Sequence, residues 1–179
     1  MRKSLLGAAA AAALLLPGSA LAQSGTIKIG ILVALEGAFA TGGQDGVRNV
    51  ELALKQVNNT IAGKKIETVV APTDTKPDTT VRMARKLVEQ DNVDFIIGPL
   101  SGSEGIAMRD FAKTIPGKVV INGISGALET TWVDPAPNFY RFNLDGSQWG
   151  FGLGNYVVKT KGWKRVATIA ADYSFGYTN

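Results

Sequence analysis

Two short stretches carry residue types that could do chemistry. Ser101-Gly102-Ser103-Glu104 and Gly123-Ile124-Ser125-Gly126 set hydroxyls beside glycines, and Glu36, Asp74, Glu129 and Asp172 are the acids that fall nearest them in the pattern developed below. Hydroxyls, backbone amides and scattered acids can hold an anion or shape a turn. They have no help from imidazole or thiol, because the 179-residue sequence contains no His and no Cys. That excludes a Ser-His-Asp triad, a thiol nucleophile, a disulfide framework and the usual zinc ligand sets within these residues. Neither glycine-serine stretch completes the G-x-S-x-G nucleophile elbow, since Ala127 stands where the last glycine is needed. No G-x-G-x-x-G follows Ile27–Val33, and no G-x-x-x-x-G-K-[ST] occurs. The expectation is a protein that is not an enzyme, with no cofactor and no metal. An enzyme working with carboxylates alone would need two of the four acids to converge, and no motif pairs them. Asp74 and Asp78 read as a loop residue and a first-turn helix residue rather than a catalytic pair.

Ser101-x-x-Glu104 fits a capping box, in which the Ser oxygen and the Glu carboxylate satisfy backbone N–H groups of a helix's first turn. The N–H groups left over could hold a ligand carboxylate, with the helix dipole behind them. Glu104 would compete for the same donors. The glycines around Ser125 allow either a tight turn or close approach of the backbone to a ligand.

These stretches must be placed by the elements before them. Thr26–Ala34 is an apolar β-branched run, followed by Val47, Val50, Leu54, Val57 and Ile61 at helical spacing. Lys65–Ala71 predicts a second strand. Pro77 opens a helix carrying Val81, Ala84 and Val88 on one stripe. Asp94–Gly98 predicts a third strand, a helix after Ser101 points Ala107, Phe111 and Ile115 inward, and Lys118–Asn122 predicts a fourth strand. Alternation of this kind indicates an α/β fold with a parallel sheet. Its ligand edge is the carboxyl end of the strands. The loops there are Leu35–Gly43, Pro72–Lys76, Pro99–Ser103 and Gly123–Glu129. Beyond Glu129 the composition shifts, with 11 of the 14 aromatic residues between Trp132 and Tyr177. Phe139–Phe142 reads as an extended crossing between two lobes, Gly146–Lys161 as a helix and Arg165–Ala170 as a fifth strand. One helix and one strand cannot bury a core. The sequence is therefore expected to be a truncated piece of a longer chain, with exposed strand edges that favour self-association. The cluster Tyr173, Phe175 and Tyr177 is either second-lobe core or a ring shelf facing a cleft. Asn58-Asn59-Thr60 matches a glycosylation sequon but reads as helix-end polarity.

Residues 1–22 read as a cleavable secretory signal. Arg2 and Lys3 precede a 12-residue apolar stretch, Leu5–Leu16, then Pro17-Gly18 and the small-residue site Ala20-Leu21-Ala22. The apolar stretch is shorter than the roughly 20 residues a membrane-spanning helix needs. No membrane insertion is expected after cleavage. The net charge of +4 falls without Arg2 and Lys3, and the remaining basic residues are scattered, so no nucleic-acid partner is expected.

Taken in order, IKIGILVALEGAFATGGQDG, VDFIIGPLSGSEG, VVINGISGALETT, NFYRFNLDGSQW and RVATIAADYSFGY resemble the leucine/isoleucine/valine-binding family of periplasmic solute receptors of ABC importers. PLSGSEG, DPAPNFYRFNLDGSQW and DYSFGY are similar to its branch associated with aromatic acids. The resemblance implies a type I periplasmic-binding-protein fold, with lobe 1 over residues 23–138, a crossover at 139–146 and the start of lobe 2 at 147–179. It implies a periplasmic receptor that traps a branched-chain or hydrophobic amino acid, or an aromatic carboxylate, in an inter-lobe cleft and delivers it to permease subunits. An extracytoplasmic sensing domain of a receptor is the alternative.

By the same resemblance, the segment at Leu100, Ser101, Gly102 and Ser103 and the one at Ile124, Ser125 and Gly126 hold the ligand's polar groups. Phe175 supplies a ring from the second lobe, and the loop from Phe39 to Gly43, with Phe39 and Gly42 as its site residues, adds a wall. Gly102 and Gly126 stand where amino-acid receptors carry hydroxyl side chains, and Gly42 replaces a frequent Tyr. Fewer hydroxyl acceptors weaken the case for an ammonium group. Smaller residues also suggest a wider pocket.

Overall fold

A computed structural model describes residues 25–178. The expected leader, residues 1–22, lies outside them. Nine residues, Thr26–Ala34, form the central strand β1. After a short turn at Gly37–Phe39, helix α1 (Ala40–Gln56) leads into the hairpin β2 (Thr60–Ile61) and β3 (Lys64–Thr73). Helix α2 (Pro77–Glu89), β4 (Phe95–Ile97), α3 (Gly102–Thr114), β5 (Val119–Asn122) and β6 (Phe139–Arg141) complete the layered part. The six strands run in the order β2-β3-β1-β4-β5-β6, and every pairing except β2 with β3 is parallel. The α/β architecture is thus the one the alternation of elements predicts.

Packing follows the period of each element. Leu32, Ala71, Ile96 and Val120 point from the sheet to one side, where Ala84 and Leu87 of α2 and Met108, Phe111 and Ala112 of α3 cover them. On the other side Ile31 and Val33 meet Gly46, Asn49 and Val50 of α1 across a crevice of about 190 Å³. Removing side chains of this size from water stabilises the lobe by about 1.5–3 kcal/mol each. Far from the ligand edge, Asn138 Nδ2 donates to the carbonyls of Ala112, Ile115 and Lys118 at 2.8, 3.1 and 2.8 Å. One amide thereby gives a second partner to the carbonyls of Ala112 and Ile115 at the end of α3, which already accept from Ile115 N–H and Lys118 N–H at 3.1 and 2.9 Å.

Four local readings change, three of them by correction. First, α1 ends at Gln56, so Ile61 lies not on its apolar stripe but in β2. Asn58 and Asn59 take φ of 51° and 50°, and Ala62 and Gly63 take 50° and 75°, the primed-turn conformation of a two-residue hairpin. Second, Phe139–Arg141, part of the expected crossing, also adds a parallel strand beside β5 through Val120↔Phe139 to Asn122↔Arg141.

Third, the helix expected over Gly146–Lys161 is broken into α4 (Gly146–Trp149), α5 (Leu153–Asn155) and a π-helical turn at Tyr156–Thr160. Gly150, Gly152 and Gly154 explain the break: glycine is a poor helix former, and Gly152 adopts φ 85°. Fourth, Arg165–Ala170 forms no strand. A strand needs a ladder partner and a face to bury, and among the described residues this segment has neither: all six of its residues are exposed. The chain then closes with α6 (Ser174–Thr178).

Candidate functional site

Ser101 caps α3 through the capping box its sequence predicts: its Oγ accepts from Glu104 N–H at 3.3 Å, and Glu104 Oε2 accepts from Ser101 N–H at 2.9 Å. Glu104 is fully buried. Its other oxygen accepts from the hydroxyls of Thr73, at the end of β3, and of Thr80 in α2, the latter at 3.1 Å. The carboxylate therefore locks the start of α3 to its neighbours on the inner side. Gly105 N–H makes the first helical bond, to Ser101 O at 3.0 Å. The N–H groups of Gly102 and Ser103 come earlier in the turn and meet no protein acceptor among the described residues.

Next to this turn lies a cleft of about 160 Å³, lined by Phe39, Leu100, Ser101, Gly102, Ile124, Gly126, Trp149, Tyr173 and Phe175. Three of the four expected loops meet here. The loop at Pro72–Lys76 instead borders a separate hollow with Glu36, Thr79 and Arg82. Four rings run along the wall: Phe39 to Tyr173 at 6.0 Å, Tyr173 to Phe175 at 6.1 Å, and Trp149 edge-on to Phe175 at 5.8 Å. Such tilted and edge-to-face contacts are the favoured ring geometries. Tyr173 is partly withdrawn from water, and that burial raises its phenol pKa. Tyr177, from the same cluster, is exposed and takes no part.

Seven of the ten residues singled out from the sequence thus share one cleft. Gly42 lies just behind it, where an added Cβ would sit 3.2 Å from Leu100 Cδ1. Ser103 is outside the lining, with its Oγ 3.4 Å from Ser174 Oγ. Ser125 is fully buried, and its Oγ is directed at Gly105 of α3 rather than into the cleft. The glycines at 102 and 126 do not widen the pocket as the sequence suggests. Added Cβ atoms there would lie 2.5 Å from Ser174 Oγ and 2.7 Å from Phe175 Cδ2, so α6 occupies that space.

Trp149 is the lining residue that sequence reasoning missed. Asp145 caps α4 and so places it: Oδ1 accepts from Gln148 N–H at 3.2 Å and from Ser147 Oγ at 2.6 Å. Oδ2 accepts from Trp132 Nε1 at 2.8 Å and lies 3.3 Å from the Arg141 guanidinium. Gly146 N–H binds Gly126 O at 2.8 Å, joining α4 to the loop after β5. Burial alone would raise the Asp145 pKa. The hydrogen bonds from Ser147, Trp132 and Gln148, with the charge of Arg141, hold it below the usual carboxylate value. An Asp followed three residues later by Gln was the available signal.

This arrangement can grip a small anion beside a ring, and among the described residues no group of His, Cys, Asp or Glu is disposed to hold a metal. A family model described as periplasmic binding protein matches residues 26–179. The chain belongs to that family. The expected kinship with the leucine/isoleucine/valine-binding receptors therefore holds.

Among solved structures, a solute-binding protein of an ABC transporter from Rhodopseudomonas palustris BisB5, in complex with 3,4-dihydroxybenzoic acid, is 28% identical with TM-score 0.78. It is covered over 41% of its length by 86% of this chain. A solute-binding protein from R. palustris in complex with benzoate is 25% identical, TM-score 0.79, over 42% of its length and 86% of this chain. The branched-chain amino acid receptor LivJ of Streptococcus pneumoniae, in complex with isoleucine, is 25% identical, TM-score 0.73, over 44% of its length and 84% of this chain. The chain thus spans well under half the length of these relatives. No match was found among curated proteins. Among the described residues no helix is long and apolar enough to cross a membrane.

Proposed function

We propose that this chain forms part of the periplasmic substrate-binding component of an ABC importer, exported through a signal cleaved after Ala22. It binds a branched-chain or other hydrophobic amino acid, or an aromatic carboxylate, in the cleft and presents it to permease subunits. The observation that carries this reading is the cleft itself: the Leu100–Gly102 turn and the loop at Ile124 and Gly126 meet four aromatic rings at the carboxyl edge of a parallel sheet. Apolar walls with a few placed polar groups characterise small-molecule sites.

The ligand's carboxylate is received by the N–H groups of Gly102 and Ser103 and the Ser101 hydroxyl. Phe39, Leu100, Ile124 and Phe175 give apolar contact, and Gly42 sets the depth of the wall behind Leu100. Ser125 shapes the floor through its backbone: its carbonyl accepts from Asn122 Nδ2 at 2.7 Å and Asn143 Nδ2 at 3.1 Å. The family and its solved relatives are solute-binding proteins, and this reading makes the chain a carrier with no turnover of its ligand.

Isothermal calorimetry against L-leucine, L-isoleucine, benzoate and 4-hydroxybenzoate tests the proposal. Heat of binding with at least one of them, and recovery of that ligand unchanged, is expected. No heat and no thermal shift with any of the four would overturn it.

A further inference from the structure

The space left above Gly126 is filled with unusual closeness. A Cβ added there would come within 2.7 and 2.8 Å of Phe175 Cδ2 and Cε2, nearer than real carbon contacts allow. At Gly102 the main chain of α6 is equally near, with Phe175 N 2.9 Å from an added Cβ. Phe175 thus rests its backbone on one glycine and its ring edge on the other. The ring's position then sets those of its neighbours, Trp149 at 5.8 Å and Tyr173 at 6.1 Å. What remains is a cleft of about 160 Å³. An apolar cavity of roughly 150 Å³ accommodates one benzene molecule.

The lining also lacks something: it contains no Asp or Glu. Glu104, two residues beyond Gly102, is turned away and engaged by Thr73, Thr80 and the Ser101 amide, and Asp172, beside Tyr173, is exposed and outside the lining. An ammonium group entering the cleft would lose water without gaining a counter-charge, which is costly.

We propose that Gly126 is a specificity-determining residue of the cleft: its bare Cα lets the Phe175 ring down onto the β5 exit loop, limiting the space to one six-membered ring, so that the preferred ligand is a monocyclic arene carboxylate without an α-ammonium. This rests on the reading of the cleft as a carboxylate site. A methyl at position 126 must push the Phe175 ring into the ligand's space. A single methylene in an apolar pocket is worth about 10- to 200-fold in affinity.

The test is calorimetry of the 179-residue chain with benzoate, 2-naphthoate and L-leucine, on the wild type, Gly126→Ala, Phe175→Ala and the double variant. Benzoate should bind wild type at least about tenfold more tightly than either other compound. Gly126→Ala should weaken benzoate by a similar factor. With Phe175 already Ala, the same substitution should have little effect, because its steric partner is gone. Phe175→Ala alone should admit 2-naphthoate, a readout that does not depend on Gly126→Ala folding. Preference for L-leucine, an equal loss from Gly126→Ala with and without Phe175, or continued exclusion of 2-naphthoate by Phe175→Ala would overturn the inference while leaving carboxylate binding intact. Failure of benzoate, 2-naphthoate and L-leucine alike to bind would overturn both.

Discussion

The stretch from Thr26 to Arg141 and the one from Phe142 to Thr178 have similar apolar patterns and opposite fates. In the first, Leu32, Leu87, Ile96 and Met108 are wholly removed from water. In the second, Phe151 is 91% exposed and Ile169 101%. Patterning names the residues that would face a core, but only a packing partner makes the core. The parts of the second stretch that find partners in the first are residues 143–146, held by Ser125, Trp132, Arg141 and Gly126, and Tyr173 with α6, set against Phe39, Gly102 and Gly126.

The largest expected contrast comes from truncating apolar side chains in both regions. Leu87→Ala should cost about 2–5 kcal/mol, since it removes buried methyls and leaves a cavity. Thermal or urea unfolding checks it, and a change below about 0.5 kcal/mol would place Leu87 outside any packed core. Glu104→Ala should cost about 1–3 kcal/mol, because it strands the buried Thr73 hydroxyl and the Ser101 amide, while Thr80 Oγ1 keeps the Lys76 carbonyl at 2.9 Å. Glu104→Gln should recover part of that loss.

Asp145→Asn sharpens the comparison at the border of the two regions. The native state holds this carboxyl below its usual value of 3.8. Its contribution to stability is therefore full above that value and fades as pH falls through the lower native one. Melts of wild type and variant should differ near neutral pH and converge in acid; a gap that widens on acidification would contradict the assigned direction. The smallest effect should be that of Ile169→Ser, within about 0.5 kcal/mol. The same variant should reduce self-association seen by light scattering. A large destabilisation would show that this segment packs after all.

The legible parts of the molecule were those whose signals are local. Alternating strands and helices from Thr26 to Asn122, the Pro77 helix start and the Ser101–Glu104 box rest on residues within a turn or two of one another. The rest depended on distant partners. Phe139–Arg141 is a strand because β5 offers it an edge, whereas Arg165–Ala170, with the strand formers Val166, Thr168 and Ile169, has none among the described residues. The hairpin at Ala62-Gly63 hid behind an apolar spacing that ran through Ile61 as if α1 continued. In the cleft, residue types located the loops, but not which way each side chain turns: Ser125 faces α3, and Trp149 arrives through the Asp145 cap of a helix far shorter than the spacing over Gly146–Lys161 suggests. Thr73 and Thr80, which engage Glu104, lie 31 and 24 residues away from it.

Glu104 has one more effect. Because a negative charge is already installed under the first turn of α3, an incoming anion does not feel the bare positive pole of a thirteen-residue helix. It is met by two short-range donors with the longer-range pull largely cancelled. Such a grip favours orientation over sheer strength, which, on the function proposed above, suits a ligand that must later be released.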